Sequence, residues 1–97
     1  MLVAKKGRTN IMSKTQNRVQ AIRDWIEQSP LRKWRKAQTP KVSIHQAAAI
    51  MNVTPSTIQL WETGGVPRFE NMNTVAEVTG NHELVHDWKK WLDARPE

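Results

Sequence analysis

The sequence predicts an all-α fold, and three observations carry that expectation. Apolar residues recur at three- and four-residue spacing in successive stretches from about residue 13 to residue 94. Helix-opening residues stand at the heads of those stretches, namely Ser13, Ser29-Pro30, Ser43, Thr54-Pro55 and Asn81. The chain has 97 residues, five of them tryptophan, which suits one small domain with a core built largely of aromatic rings.

Residues 1–12 include Lys5, Lys6, Gly7 and Arg8 and show little periodicity. They are expected to form a flexible basic arm. It could follow phosphates or enter a minor groove, or be no more than an untidy terminus. Ser13 with Gln16 is a capping-box signature that opens an additional N-terminal helix over 13–28. Val19, Ile22 and Ile26 share one of its faces, with Trp25 beside them. Ser29-Pro30 restarts the chain as an N-cap followed by proline, and the helix runs to about residue 38. Leu31, Trp34 and Ala37 are expected to point inward, with Arg32, Lys33, Arg35 and Lys36 around the rest.

After the connection Thr39-Pro40-Lys41-Val42, Ser43 caps a helix whose Ala47, Ala48 and Met51 share one face. Asn52 is placed to end it in the left-handed conformation, and Val53 to plug the corner. Thr54 is an N-cap before Pro55 at the first helical position. Ile58 and Trp61 then face inward on the helix over 54–63, leaving Pro55, Ser56, Gln59 and Leu60 outside. Gly64-Gly65 provides a flexible or left-handed exit. A helix over 70–79 follows, with Met72, Val75, Ala76 and Val78 apolar and Gly80 as its stop. Asn81 is expected to cap a last helix over 81–94. Its stripe of Leu84, Trp88, Trp91 and Leu92 suits core packing, with Trp25 as a candidate neighbour. Trp91 would also suit a dimer seam.

The formal charge of +6 is unevenly distributed. Residues 1–41 carry eleven Lys and Arg against Asp24 and Glu27, whereas residues 42–97 carry four against seven acids. On charge alone that asymmetry suits either a basic flank facing a polyanion or a solvated, soluble face, and beside a helix-turn-helix pattern the first is expected. The chain contains no cysteine, hence no disulfide and no thiolate metal site, and a reduced cytoplasmic setting is compatible with this. No apolar run approaches the ~18 residues that a membrane span needs. The opening Met-Leu-Val-Ala-Lys-Lys is too short for the apolar region of a signal peptide.

Ala48 at the helix crossing, Asn52-Val53 at the corner, Ile58 inside, Trp61-Glu62 at the end and Pro67 before the next helix occur in order and in register. This pattern resembles the phage-repressor, or Cro/XRE-type, helix-turn-helix family. The resemblance covers residues 29–94. It implies a phage-repressor-like domain of four to five short helices, to which the helix over 13–28 is an addition. It also implies that the helix over 54–63 enters the DNA major groove, and that Arg35 pairs with Glu62 while lying near a phosphate. Arg68 falls where the family often meets the DNA backbone. Two features depart from the family: a longer connection at 39–42, and Ile44 where a phosphate-binding glutamine is common. Ser43, with His45 and Gln46, could substitute there.

The candidate DNA-contacting set is therefore Arg35, Ser43, His45, Thr54, Pro55, Ser56, Thr57, Gln59, Leu60, Thr63 and Arg68. The outer face of the reading helix holds no arginine or lysine to fork onto guanine. Gln59 can pair with adenine, Ser56 with several bases, and Leu60 suits a thymine methyl, so A·T-rich half-sites are expected. Affinity would then come mainly from phosphates and be salt-sensitive.

The implied function is sequence-specific double-stranded DNA binding by a transcriptional regulator of the repressor type, cytoplasmic and nucleoid-associated when bound. A homodimer is compatible with it. The alternative is an interaction module, antitoxin-like or part of a nucleoprotein complex, that docks on a partner protein through a Trp25/Trp88/Trp91 face. An enzyme is not expected. His82-Glu83-Leu84-Val85-His86 does match the H-E-x-x-H zinc-protease signature. The chain has no spare domain to build a cleft around it, and helix capping explains the same residues. No cofactor is expected.

Overall fold

The computed structural model describes residues 14–96, and these contain six α-helices and no strand. The basic arm expected over 1–12 and the Ser13 cap lie outside the described residues.

Helix α1 (Lys14–Glu27) is anchored at one end. Among residues 16–27 only Trp25 is buried; Val19 is 43 % exposed, and Ile22 and Ile26 are half-buried. The expected face of Val19, Ile22 and Ile26 thus packs only towards its C-terminal end, where Ile26 lies against the core beside Trp25, while Val19 does not. Residues 16–20 are all exposed, and the buried contact of α1 lies towards its C-terminal end, at Trp25. Helix α2 (Pro30–Ala37) opens with the Ser29 side-chain oxygen accepting the Arg32 N–H at 3.1 Å. Pro30 needs no acceptor at that position. Leu31 is fully buried and Trp34 is half-buried. Ala37, expected to face inward, is exposed, and the last inward place on α2 belongs to Arg35.

Helices α3 (Ile44–Met51) and α4 (Pro55–Glu62) meet at a tight corner. Ser43 accepts from the Gln46 N–H, while the Gln46 side chain accepts from the Ser43 N–H, a complete capping box. At the other end Asn52 is left-handed (φ 56°, ψ 46°), and Val53 N–H reaches back to the Ala48 carbonyl at 2.9 Å. This six-to-one bond closes a Schellman turn. Thr54 then caps α4 through the Thr57 N–H. The small side chains of Ala47 and Ala48, both buried, allow the two helices to approach closely.

Helix α5 (Phe69–Thr79) ends at left-handed Gly80 (φ 69°) in a second turn of the same kind, closed by Asn81 N–H to Ala76 O. Helix α6 (Leu84–Asp93) starts three residues later than the sequence suggests. Asn81 does not cap it. The Asn81 side chain instead accepts from the Glu83 N–H and donates to Asp87, which spends its hydrogen bonds on the turn before the helix.

All six helices contribute to one core, from Trp25, Leu31, Ala48, Ile58, Val75 and Trp88. Trp25 and Trp91 fasten α1 to α6. Their rings stack with centroids 4.1 Å apart and 7° between planes. Each indole N–H donates to the other residue's carbonyl, at 2.6 and 2.7 Å. Trp88 packs edge-on against Trp91, and its own buried N–H has no acceptor.

Candidate functional site

The inner side of α4 is fixed by burial, and that decides what its outer side presents. Ile58 is completely buried and Trp61 is 3 % exposed, with Glu62 beside them at 1 %. Helical geometry then turns Ser56, Gln59, Leu60 and Thr63 outward, and all four are exposed. Pro55 and Thr57 are half-buried along the edges, and Thr54 is exposed at the head of the helix. Of the expected polar contacts, the Thr54 and Thr57 hydroxyls are bonded to each other at 2.9 Å. The Thr63 hydroxyl donates to the Gln59 carbonyl at 2.8 Å. Among the described residues, the side chains of Gln59, Ser56, His45 and Arg68 have no partner within the chain. The Gln59 amide thus keeps both its donor and its acceptor for a ligand.

Ser43 and His45 are exposed near the start of α3. The Ser43 hydroxyl and the Gln46 carbonyl oxygen are already engaged in the capping box, which leaves His45 as the free side chain there. Past α4, Arg68 is exposed, as are the apolar side chains of Leu60 (59 %), Val66 (57 %) and Phe69 (80 %).

The Arg35–Glu62 pair expected from the sequence is present, and its geometry is specific. Arg35 Nε and Nη2 donate to the two Glu62 oxygens at 2.6 and 2.8 Å, and Nη1 donates to the Val42 carbonyl at 3.0 Å. The hydrogen bonds to Glu62 raise the Arg35 pKa above its ordinary value, against the opposing cost of burial. All three terminal groups of Arg35 point into the protein and the residue is 7 % exposed. Its place near a phosphate is therefore not supported by the geometry. Arg35 ties the end of α4 to α2 and to the connection before α3.

A second set of charges was not anticipated from the sequence. Glu27, the last residue of α1, receives Arg32 Nε and Nη2 at 3.0 Å each and Lys36 Nζ at 2.8 and 3.0 Å. These bonds, Lys36 foremost, hold the Glu27 carboxyl below its usual value of 4.5. Arg32 Nη1 lies 3.8 Å from Glu62 Oε1, so the two sets form one network. Arg32 also lines a cleft of about 510 Å³ together with Ser56, Gln59, Leu60, Glu62 and Thr63. The four-residue spacing of Arg32 and Lys36 was a local signal for part of this network. Glu27 reaches them across the α1–α2 corner, where helical periodicity says nothing.

Two alternatives change in the light of these positions. The rings of Trp25, Trp88 and Trp91 are 6 %, 1 % and 5 % exposed, so they form no surface for a partner. His82 and Glu83 precede α6 and only His86 lies within it, so the H-E-x-x-H residues do not share a helix. No group of three or more His, Cys, Asp or Glu suited to a metal ion occurs among the described residues. Nor is any helix among them long and apolar enough to cross a membrane. Comparison with protein-family models, curated proteins and solved structures finds no match to this chain.

Proposed function

We propose that the chain binds double-stranded DNA sequence-specifically, as a repressor-type transcriptional regulator with a phage-repressor-like helix-turn-helix formed by α3 and α4. The observation that carries this reading is the division of α4. Ile58, Trp61 and Glu62 lock one side into the core, while Ser56, Gln59 and Leu60 stand outside with their polar groups uncommitted. A short, rigid helix presenting such a face at a capped corner fits the major groove. Gln59 reads adenine through its free amide, and exposed Leu60 meets a thymine methyl. His45 and Arg68, exposed before and after the reading helix, supply phosphate contacts.

Selection of binding sites from a random duplex library tests this reading. The expected winner is A·T-leaning at the positions facing Gln59 and Leu60 and binds at least ~10³-fold tighter than random duplex. An inverted repeat with half-sites about one helical turn apart would identify a dimer as the bound form. Selection that enriches no sequence, or sites rich in G·C at those positions, would refute it.

A further inference from the structure

Arg32 occupies a position that none of the expected contacts fills. The reading helix carries no cation of its own, yet Arg32 of α2 stands in the cleft beside Ser56, Gln59 and Thr63. Its side chain is 28 % exposed. The network around it contains three cations, Arg32, Arg35 and Lys36, and two carboxylates, Glu27 and Glu62. It therefore keeps one unit of positive charge. Arg35 is buried against Glu62, and Lys36 is turned to Glu27. Arg32 is the cation of the three that lines the cleft.

The orientation of the guanidinium says what it can hold. Nε and Nη2 form a fork-to-fork pair with the two Glu27 oxygens at 3.0 Å. Nη1 is 3.8 Å from Glu62, too far for a hydrogen bond, so this edge retains its donors. The free edge still carries N–H groups on Nη1 and Nη2, but Arg32 stands on α2, outside the helix proposed to enter the groove. From that position the edge suits the oxygens of a phosphate at the rim of the groove rather than the base edges within it. We propose that Arg32 is a phosphate-contacting residue of the interface and that Glu27, from the helix added to the domain, is its positioning residue. The inference rests on the DNA-binding reading, and it gives α1 a role in binding although α1 itself lies outside the α3–α4 corner.

Anisotropy titration of the full chain with a fluorescein-labelled duplex of mixed sequence, repeated at several salt concentrations, tests it, with thermal melts of each variant alongside. Arg32→Gln is expected to weaken binding roughly tenfold, the size of one charge-assisted hydrogen bond, at every sequence alike. The slope of log affinity against log salt should fall in magnitude by about 0.9, the loss of one phosphate contact. Arg32→Lys keeps the charge and should keep the slope while losing affinity, because lysine has no fork for Glu27.

Glu27→Gln gives the sharper arm, because two effects oppose each other. Removing a negative charge near a polyanion would by itself tighten binding, whereas loss of the fork that positions Arg32 weakens it. The proposal requires weakening, in a variant that still melts cooperatively. Unchanged affinity and slope in Arg32→Gln, or tighter binding in Glu27→Gln, would overturn the proposal while leaving the DNA reading in place. Failure of the unaltered chain to bind any duplex would overturn both. Should Arg32→Gln fail to fold, Arg32→Lys and Glu27→Gln still decide the outcome.

Discussion

Replacing Glu62 with glutamine, or Arg35 with methionine, tests what holds the end of α4 in place. Arg35 makes two direct hydrogen bonds to Glu62, at 2.6 and 2.8 Å, and a third to the Val42 carbonyl at 3.0 Å, and Arg35 and Glu62 are 7 % and 1 % exposed. Water therefore does little to screen it or to replace a lost partner. Arg35→Met would leave a carboxylate buried, and Glu62→Gln would leave a guanidinium facing a neutral amide. Each is expected to cost about 3–5 kcal/mol, the usual penalty for orphaning one member of a buried pair. A chain of 97 residues has roughly 5–15 kcal/mol in all, so either change removes a large part of its stability. At about 4–8 °C per kcal/mol, melting should fall by at least ~12 °C.

The double variant Arg35→Met with Glu62→Leu removes both charges together and should recover most of that loss, to within about 1 kcal/mol of the parent chain. Urea denaturation followed by tryptophan fluorescence gives the stabilities of the parent chain, Arg35→Met, Glu62→Leu and the double variant, provided the slopes agree. A coupling energy of several kcal/mol is expected from the cycle. Single variants costing less than ~1 kcal/mol, or a double variant losing the sum of the two, would refute the reasoning, since the pair would then behave as a solvated surface contact.

Other substitutions separate stability from reading. Gln59→Ala should leave stability within about 0.5 kcal/mol, because the side chain is exposed and unpartnered, but should relax the preference for adenine in repeat selections. Trp25→Ala removes the one buried side chain of residues 16–27, its stacking on Trp91 and the indole bond to the Trp91 carbonyl. Amide-exchange protection of α1 should then collapse while that of α3 to α5 persists. Gly65→Ala would place a methyl 2.6 Å from Leu60 Cγ and 2.9 Å from the Leu60 carbonyl oxygen, and denaturation should show a loss of about 1–3 kcal/mol. The Glu27 carboxyl is held below 4.5 by Lys36 and Arg32, so its folded pKa is depressed. Its contribution is present above 4.5 and is lost as the pH falls through the lower folded value. The stability difference between the parent chain and Glu27→Gln should thus be seen at neutral pH and vanish in acid.

What could be read from the sequence was what local chemistry determines. Caps at Ser29, Ser43 and Thr54, the left-handed Asn52 and the inward Ile58 and Trp61 each follow from a few neighbouring residues, and each stands where expected. The Arg35–Glu62 pair came from a resemblance rather than from spacing, and it is present. The misses share a cause. Periodicity finds the apolar side of a helix but not what meets it, so Val19, on the apolar face of α1, and Ala37, expected to point inward on α2, are both exposed. Trp25 and Trp91 are 66 residues apart, and nothing local shows that each indole needs the other's carbonyl. Asn81 is a good capping residue by type, yet its oxygen is taken by Glu83 within the turn. The Arg32 cleft depends on three helices at once, which is why it had no signature.

The most direct test of the central claim is a map of amide chemical-shift changes in the isotope-labelled chain as duplex DNA is added. The account predicts the largest changes in residues 43–46 and 54–63 and around Arg68, with Gln59 side-chain signals among them, while residues 84–93 change little. Changes centred on α6, or none at concentrations where a control DNA-binding domain is saturated, would contradict it.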